Sequence, residues 1–482
     1  MDSIITLINN LIWSKALIAL CLGAGLYFSI RTRFMQVRSV PEMIRSIFSG
    51  KTSPSGVSSF QALTMSLSGR VGTGNIAGVA TAIAFGGPGA VFWMWTVAFF
   101  GASTAFVEAT LGQIYKEKDD RGFYRGGPAY YIEKGLGLKW YAWTFAFATI
   151  IATGFLLPGV QANSIGIAIE NAWGVESWIT AAFIVAGLAF IIFGGVKRIA
   201  RFAEFVVPFM AVAYILIALG IMVINIDQVP VVFSLIIKSA FGLEAGFGAM
   251  LGLAIEWGVK RGVYSNEAGQ GTAPHAAAAA EVAHPAKQGY VQAFSVYVDT
   301  LLVCSATAFL ILSTDMYNVI SPAGEALVSH LPGIEAGPGF AQAAVESVIP
   351  GFGEGFVALA LLFFAFTTIV AYYYMAETNI AYINRKIHRP WITLVLRFGI
   401  LGMVALGTMK SAGAAWQLGD IGAGLMAWLN IIAILILQKP ALRALRDYEA
   451  QRKAGKEPVF DPDALDIPNA DLWREKLKES SS

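Results

Sequence analysis

The chain is poor in charge. Only 14% of its 482 residues are Asp, Glu, Lys or Arg, where a soluble domain carries about 25%. It has two cysteines, Cys21 and Cys304, both in apolar runs, and four histidines (His275, His284, His330, His388) without ligand-like spacing. Such a set builds neither a disulfide framework nor a four-ligand metal site. The formal net charge of +2 gives no strong basic or acidic balance to argue for nucleic acid. What is abundant is apolar: 56% hydrophobic and 12% aromatic residues, 50 glycines, and a mean hydropathy of +0.61. This balance speaks against a soluble enzyme, a disordered chain or a coiled coil. It predicts an all-α polytopic membrane protein.

A hydrocarbon core of about 30 Å needs roughly 20 apolar residues per helix. Eleven segments qualify: 11–30, 57–83, 87–112, 141–165, 178–194, 202–224, 240–258, 290–313, 356–383, 391–408 and 417–437. The first lacks a basic leader and a cleavage site, so it reads as a span. With the N-terminus outside, the inside segments are 31–56, 113–140, 195–201, 259–289, 384–390 and the tail from 438. They hold 29 of the 34 Lys and Arg, the bias expected of cytoplasmic loops. The reading is therefore a multi-pass plasma-membrane protein, N-terminus outside and C-terminus cytoplasmic. The tail reads as solvated, with short helices. The outside stretch Thr314–Gly355, with four prolines, is long enough for a lid and equally suits a connector.

Glycines interrupt two spans. One run is Ser68-Gly69-Arg70-Val71-Gly72-Thr73-Gly74-Asn75; the other is Gly242 to Gly248, with Gly246, Phe247 and Gly248 at its end. Glycines in spans also serve as close-packing points. Here each cluster opens a five-span block, 57–224 and 225–437, and an odd number of spans inverts the second block against the first. That is an inverted-repeat transporter plan, preceded by residues 1–56 and followed by 438–482. Its binding site lies where two broken helices meet, with free N–H groups for an anion and free carbonyls for a cation. GTGNIAG is not a nucleotide fingerprint, because its spacing is G-x-G-x-x-x-G and no soluble strand–helix unit surrounds it.

Gly72–Asn75 and the continuation IAGVATAIAFGGPGAVFWMW (76–95) resemble the signature of the alanine or glycine:cation (sodium:alanine) symporter family. RGVYSNEAGQGTAPHAAAAA (261–280) is similar to that family's stretch after its sixth core helix. The resemblance implies a five-plus-five inverted-repeat core with one extra N-terminal span, reaching from about 57 to 437.

An amino acid zwitterion needs two charged partners. N–H groups around Gly72, Thr73 and Gly74, with the Thr73 hydroxyl and Asn75 amide, suit its carboxylate. Carbonyls near Gly246–Gly248 suit its ammonium. The resemblance points to the same breaks and adds Gln161, which as a midspan amide also suits a plain helix–helix hydrogen bond. Thr367 and Thr368 offer hydroxyl oxygens to a hard cation, though Thr in a helix also back-bonds to its own turn. In the implied architecture these hydroxyls face the carbonyls of Ser68 and Val71, a neutral site for sodium, the coupling ion. Tyr372 stands near a position where many family members carry Trp, which opens the pocket to a substrate as large as glutamine. Phe247 and Met250 would form the opposing wall.

Ionisable groups inside spans default to function. Arg70 has Glu108, Glu244, Glu256, Asp299 and Asp420 as candidate partners, either in place of a second cation or as a structural pair or gate. Glu204 and Arg397 read as snorkelling. The sequence thus predicts no enzyme but a symporter importing alanine, glycine or glutamine with sodium. A proton-coupled or exchange carrier would titrate Asp299, Glu244 or Glu256. A channel or intramembrane hydrolase finds no filter loops and no midspan His.

Overall fold

In lipid the backbone must satisfy its own N–H and C=O groups, so spanning segments are helical. The computed structural model describes residues 2–50, 52–244, 247–321, 323–389 and 391–481. Among them, eight helices are long and apolar enough to cross a bilayer, and three shorter apolar helices accompany them. Large apolar side chains such as Phe190, Phe205 and Phe209 stand outward, each at least 70% exposed. Polar groups such as Arg70, Asn75, Glu108 and Asp299 are buried. That inversion is what a hydrocarbon solvent selects.

α1 (Lys15–Arg31) precedes the first discontinuous helix. This begins as α2 (Ser59–Arg70), where the Ser58 hydroxyl accepts from Gln61 N–H and the Gln61 side chain accepts from Ser58 N–H, a reciprocal cap. α2 ends because Val71 turns to ψ 88°. The chain re-enters a wide π turn at Gly74–Gly78 and continues as α3 (Val79–Gly86). α4 (Ala90–Ile114) and α5 (Lys139–Trp173) follow.

The second discontinuous helix departs from the sequence reading. Residues 240–258 are not one span: α6 (Gln228–Ala240) ends there, and α7 (Leu251–Asn266) starts after a turn. The backbone unwinds again at Glu267–Thr272 before α8 (Ala273–Ala279). Lys260 and Arg261, expected in an inside loop, are buried within α7. Two cations at midhelix lower local hydropathy, which is why a window reading stops there. Gly258 and Gly262 of α7 are packing points: a Cβ at either would meet Ala90, Trp93, Met94 or Val97.

α9 (Pro285–Ser313), α10 (Gly353–Ile387) and α11 (Ala412–Ile436) complete the core around the two breaks. Between α9 and α10, the stretch expected as lid or connector folds into a hairpin, Asn318–Ile320 with Ala326–Ser329, and a helix, Pro338–Val348. That helix buries Phe340 and Val345 and donates Gln342 Nε2 to Ala168 O at 2.9 Å. The expected solvated tail is instead docked. α12 (Gln438–Lys453) and the segment after it bury Tyr448, Phe460, Ile467 and Trp473 against the bundle. They cover one end of the molecule, its tail end.

Candidate functional site: two facing helix breaks

The first break exposes backbone N–H groups that helix would have consumed. Gly72 N–H donates to Asn75 Oδ1 at 2.8 Å, and Thr73 N–H to Gln161 Oε1 at 3.0 Å. Two side-chain amide oxygens thus take up the N–H groups the break frees. The Thr73 hydroxyl is buried and lacks a hydrogen-bond partner among the described residues. Glycine at 72 is required by close approach: a Cβ there would collide with the Thr368 hydroxyl and come within 2.9 Å of Gln161 Oε1.

Gly72 also joins this anion-side geometry to a cation-side one. Thr368 Oγ1 lies 3.5 Å from Val71 O, across from α10 to the break. It simultaneously donates to Phe364 O at 2.9 Å. Thr367 donates to the same carbonyl at 2.9 Å, and Ser68 Oγ donates to Met65 O at 2.7 Å. Donation into the helix leaves each hydroxyl's lone pairs free for a cation, the chemistry sodium needs. Of the expected set, Val71 O and Thr368 Oγ1 are in contact, and the Thr367 hydroxyl turns to its own helix; Ser68 was expected to contribute its carbonyl, and its hydroxyl too bonds within its own helix.

The end of α7 and Glu267, at the start of the second unwound stretch, face the first break, where Gly246–Gly248 were expected. A Cβ at Gly74 would touch Ser265 and Tyr264, and one at Gly69 would lie 3.2 Å from Glu267 Oε2. Phe247 instead packs against Gly87, at the far end of α3, and Gly248 lies beside Gly242. Gly246 lies outside the described residues. Gly269 (φ +86°) and Gly271 (φ +79°) take a backbone that L side chains avoid. The freed N–H groups of Gly269 and Gly271 donate to Glu108 at 3.3 and 3.1 Å, and Asn430 Nδ2 donates to Glu108 at 2.7 Å. Glu108 thus braces the second break rather than pairing with Arg70.

Asp299 links the breaks. It accepts from Asn75 Nδ2 at 2.7 Å, Ser265 Oγ at 3.0 Å and Thr300 Oγ1 at 2.7 Å. Cys304, read as merely apolar, lies 3.3 Å from the Asn75 amide. Tyr372 faces both Gln161 and Glu267. Glu267 itself is buried with both carboxylate oxygens unpartnered among the described residues. Arg70 makes no ion pair among them: it donates Nη1 to Gln292 O at 3.0 Å and to Ser295 Oγ, while Nε and Nη2 stay unpartnered.

Asp420, a candidate partner for Arg70, instead binds Arg261 through two bonds of 2.9 and 3.1 Å and Lys260 at 2.9 Å. The Arg261 guanidinium lies 4.3 Å from the Trp416 ring centroid, between it and Trp257. This cluster lines a cavity of about 610 Å³ that opens at the end opposite the tail, capped by Asn318, Ile334 and Phe340. Glu204 accepts from Gln61 at 2.9 Å, and Arg397 donates to Tyr373 at 2.9 Å. Ser265 and Glu267 lie in a motif the sequence displayed, SNEAGQG. What could have located a break there is an acidic residue followed by two glycines one residue apart; what hid it was the preceding charge pair.

A family profile described as "Sodium:alanine symporter family" matches residues 1–462. YrbD of Bacillus subtilis (strain 168) is 62% identical over 100% of this chain and 99% of its own length. The "Sodium/proton-dependent alanine carrier protein" of Bacillus sp. (strain PS3) is 54% identical over 90% of this chain and 98% of its own. The "Sodium/alanine symporter AgcS" of Methanococcus maripaludis is 38% identical over 94% and 98%. With the breaks, their hydroxyls and this coverage in place, the chain belongs to the sodium:alanine symporter family.

Proposed function

We propose that the protein imports a small neutral amino acid, alanine or glycine and with room for glutamine, together with sodium. The observation that carries this reading is the double use of Gly72. On one side its N–H and that of Thr73 point at oxygens of Asn75 and Gln161; on the other it admits the Thr368 hydroxyl beside Val71 O. The substrate carboxylate takes the Gly72–Asn75 N–H cradle with Thr73 and Gln161. The ammonium takes the second break, at Glu267 and neighbouring carbonyls, with Tyr372 as wall. Sodium takes Val71 O and Thr368 Oγ1, with Ser68 and Thr367 completing the set as α2 tightens. Both ligands then share one bistable backbone segment, so each favours the other's binding by a common coupling free energy.

In this reading the eight long spans, α2–α3, Ser177–Ile192 and α7–α8 make eleven crossings, and α6 lies in the far interface. Residues 1–56 lead into repeats 57–224 and 225–437, with the N-terminus outside and the tail end cytoplasmic. The Arg261–Asp420 pair closes the far, outer side. Transport needs no covalent step, only a gate whose two arrangements bind the ligands unequally.

Uptake of labelled alanine, glycine and glutamine into proteoliposomes, with and without an inward sodium gradient at fixed pH, tests the reading. Sodium-stimulated concentrative uptake of one of them is expected. Uptake indifferent to sodium but driven by a proton gradient overturns it and favours the second reading, a proton-coupled carrier, for which unpartnered Glu267 is the supporting observation.

A further inference from the structure

We propose that a pocket between the end of α1 and α12 binds the phosphate headgroup of an anionic phospholipid. The pocket has a volume of about 270 Å³ and is lined by Arg31, Arg33, Arg38, Arg446 and Lys453 against a single carboxylate, Glu449. Glu449 is already engaged, 2.5 Å from Arg38. Arg33, Arg446 and Lys453 make no ion pair or side-chain hydrogen bond among the described residues, so their charge is uncompensated by protein. The two walls are more than 400 residues apart in sequence, and like charges brought together this way repel unless an anion sits between them.

The choice of a lipid over a soluble anion rests on what flanks the pocket. Ile30 is 58% exposed, Phe34 41% and Val37 56%. These open apolar side chains alternate with Arg31, Arg33 and Arg38 and set the pocket at the level where hydrocarbon gives way to headgroups. Cations at that depth meet anionic lipid phosphates, and basic pockets between helices hold such headgroups. On α12 the lining residues Leu442, Leu445, Arg446, Glu449 and Lys453 form one stripe at helical spacing, while Ala441, Ala444 and Tyr448 face the bundle. A lipid here would bridge α1 to the helix that begins the tail.

The test uses the full chain purified from phosphatidylcholine vesicles containing phosphatidylglycerol, with retained lipid read by native mass spectrometry. Wild type is expected to keep phosphatidylglycerol over phosphatidylcholine. The triple variant R33Q/R446Q/K453Q should keep it at least about fivefold less, and the charge-matched control K118Q/K456Q/K478Q should keep it as wild type does. All six side chains are exposed, so both variants fold. Equal retention in the triple variant, equal loss in the control, or displacement of the lipid by millimolar inorganic phosphate would each overturn the proposal, the last by making the site one for soluble phosphate.

Discussion

In the proposed sodium site Thr368 brings the ion to the backbone of the first break, its hydroxyl lying 3.5 Å from Val71 O. Removing one oxygen from a cation's shell costs about 1.5–3 kcal/mol, on the order of ten- to a hundredfold in affinity. Thr368→Ala should therefore raise the sodium concentration for half-maximal uptake by that factor while leaving protein abundance near wild type. Unchanged sodium dependence would remove Thr368 from the site. Asp420 presents the opposite case, a residue whose loss strands its partners. Asp420→Asn leaves Arg261 and Lys260 buried with one neutral oxygen between them. Breaking a buried pair from one side costs roughly 3–5 kcal/mol. The expected result is a thermal midpoint in detergent well below wild type, with Asp420→Glu recovering part of it.

At the scale of elements, the second break is held open by conformation and by Glu108. Gly271→Ala must place a Cβ at φ +79° within 2.9 Å of the Phe145 ring and closer still to Pro128. Strain of this kind costs about 1–3 kcal/mol before any collision is counted. Transport should fall at least tenfold, and the variant should be less stable than Gly252→Ala, where nothing lies within 4 Å. The first break was legible in the sequence because its glycines interrupt an otherwise apolar run and its polar groups, Thr73 and Asn75, sit inside it. The second was not read: 261–280 resembled a family motif, but the break was expected at Gly246–Gly248 and lies at Glu267–Thr272. Lys260 and Arg261 mimic a loop end, and their compensation by Asp420 comes from a helix some 160 residues later, which no local pattern displays. Gln161 and Thr368 were legible as residue types; that both converge on Gly72 is a tertiary fact. Phe247 and Gly248 misled because a glycine-rich turn between α6 and α7 looks, in hydropathy, like a break within one helix.

The molecule as a whole closes its tail end with residues from both ends of the chain and from the second break. Ala280, directly after α8, bridges to Val57, two residues before α2. The next residues, Glu281 to His284, are gripped by the tail: Lys476 meets Glu281 at 2.5 Å, Phe460 N–H donates to Ala283 O at 3.1 Å, and Asp447 faces His284 at 3.2 Å. His284 Nδ1 accepts from Ala286 N–H at 3.1 Å, so the ring is neutral with its proton on Nε2, donated to Asp447. Tyr448 and Phe460 rings enclose it, and Lys287, the nearest cation, is paired with Glu457. Burial holds the His284 pKa below its ordinary value despite the pull of Asp447. A base with a lowered folded pKa contributes fully above its unfolded value, about 6.5, and loses that contribution as pH falls below it. Protonation would also set an N–H against the Ala286 N–H it now caps. Asp447, held low chiefly by its bond to His284, and Glu281, held low by Lys476 against the effect of burial, give way only further down, near their unfolded values of about 4. Tail docking should therefore weaken between pH 7.5 and 5.5 through His284 alone. Hydrogen exchange at the Phe460 and Trp473 amides, corrected for intrinsic rates, should show protection falling over that interval in wild type. In His284→Gln, whose amide does not titrate there, the same interval should bring no change. Equal pH dependence in both proteins would put the sensitivity elsewhere. If the tail end is the cytoplasmic gate, loss of this grip frees the residues that follow the second break, and acidification should then speed release of substrate to that side.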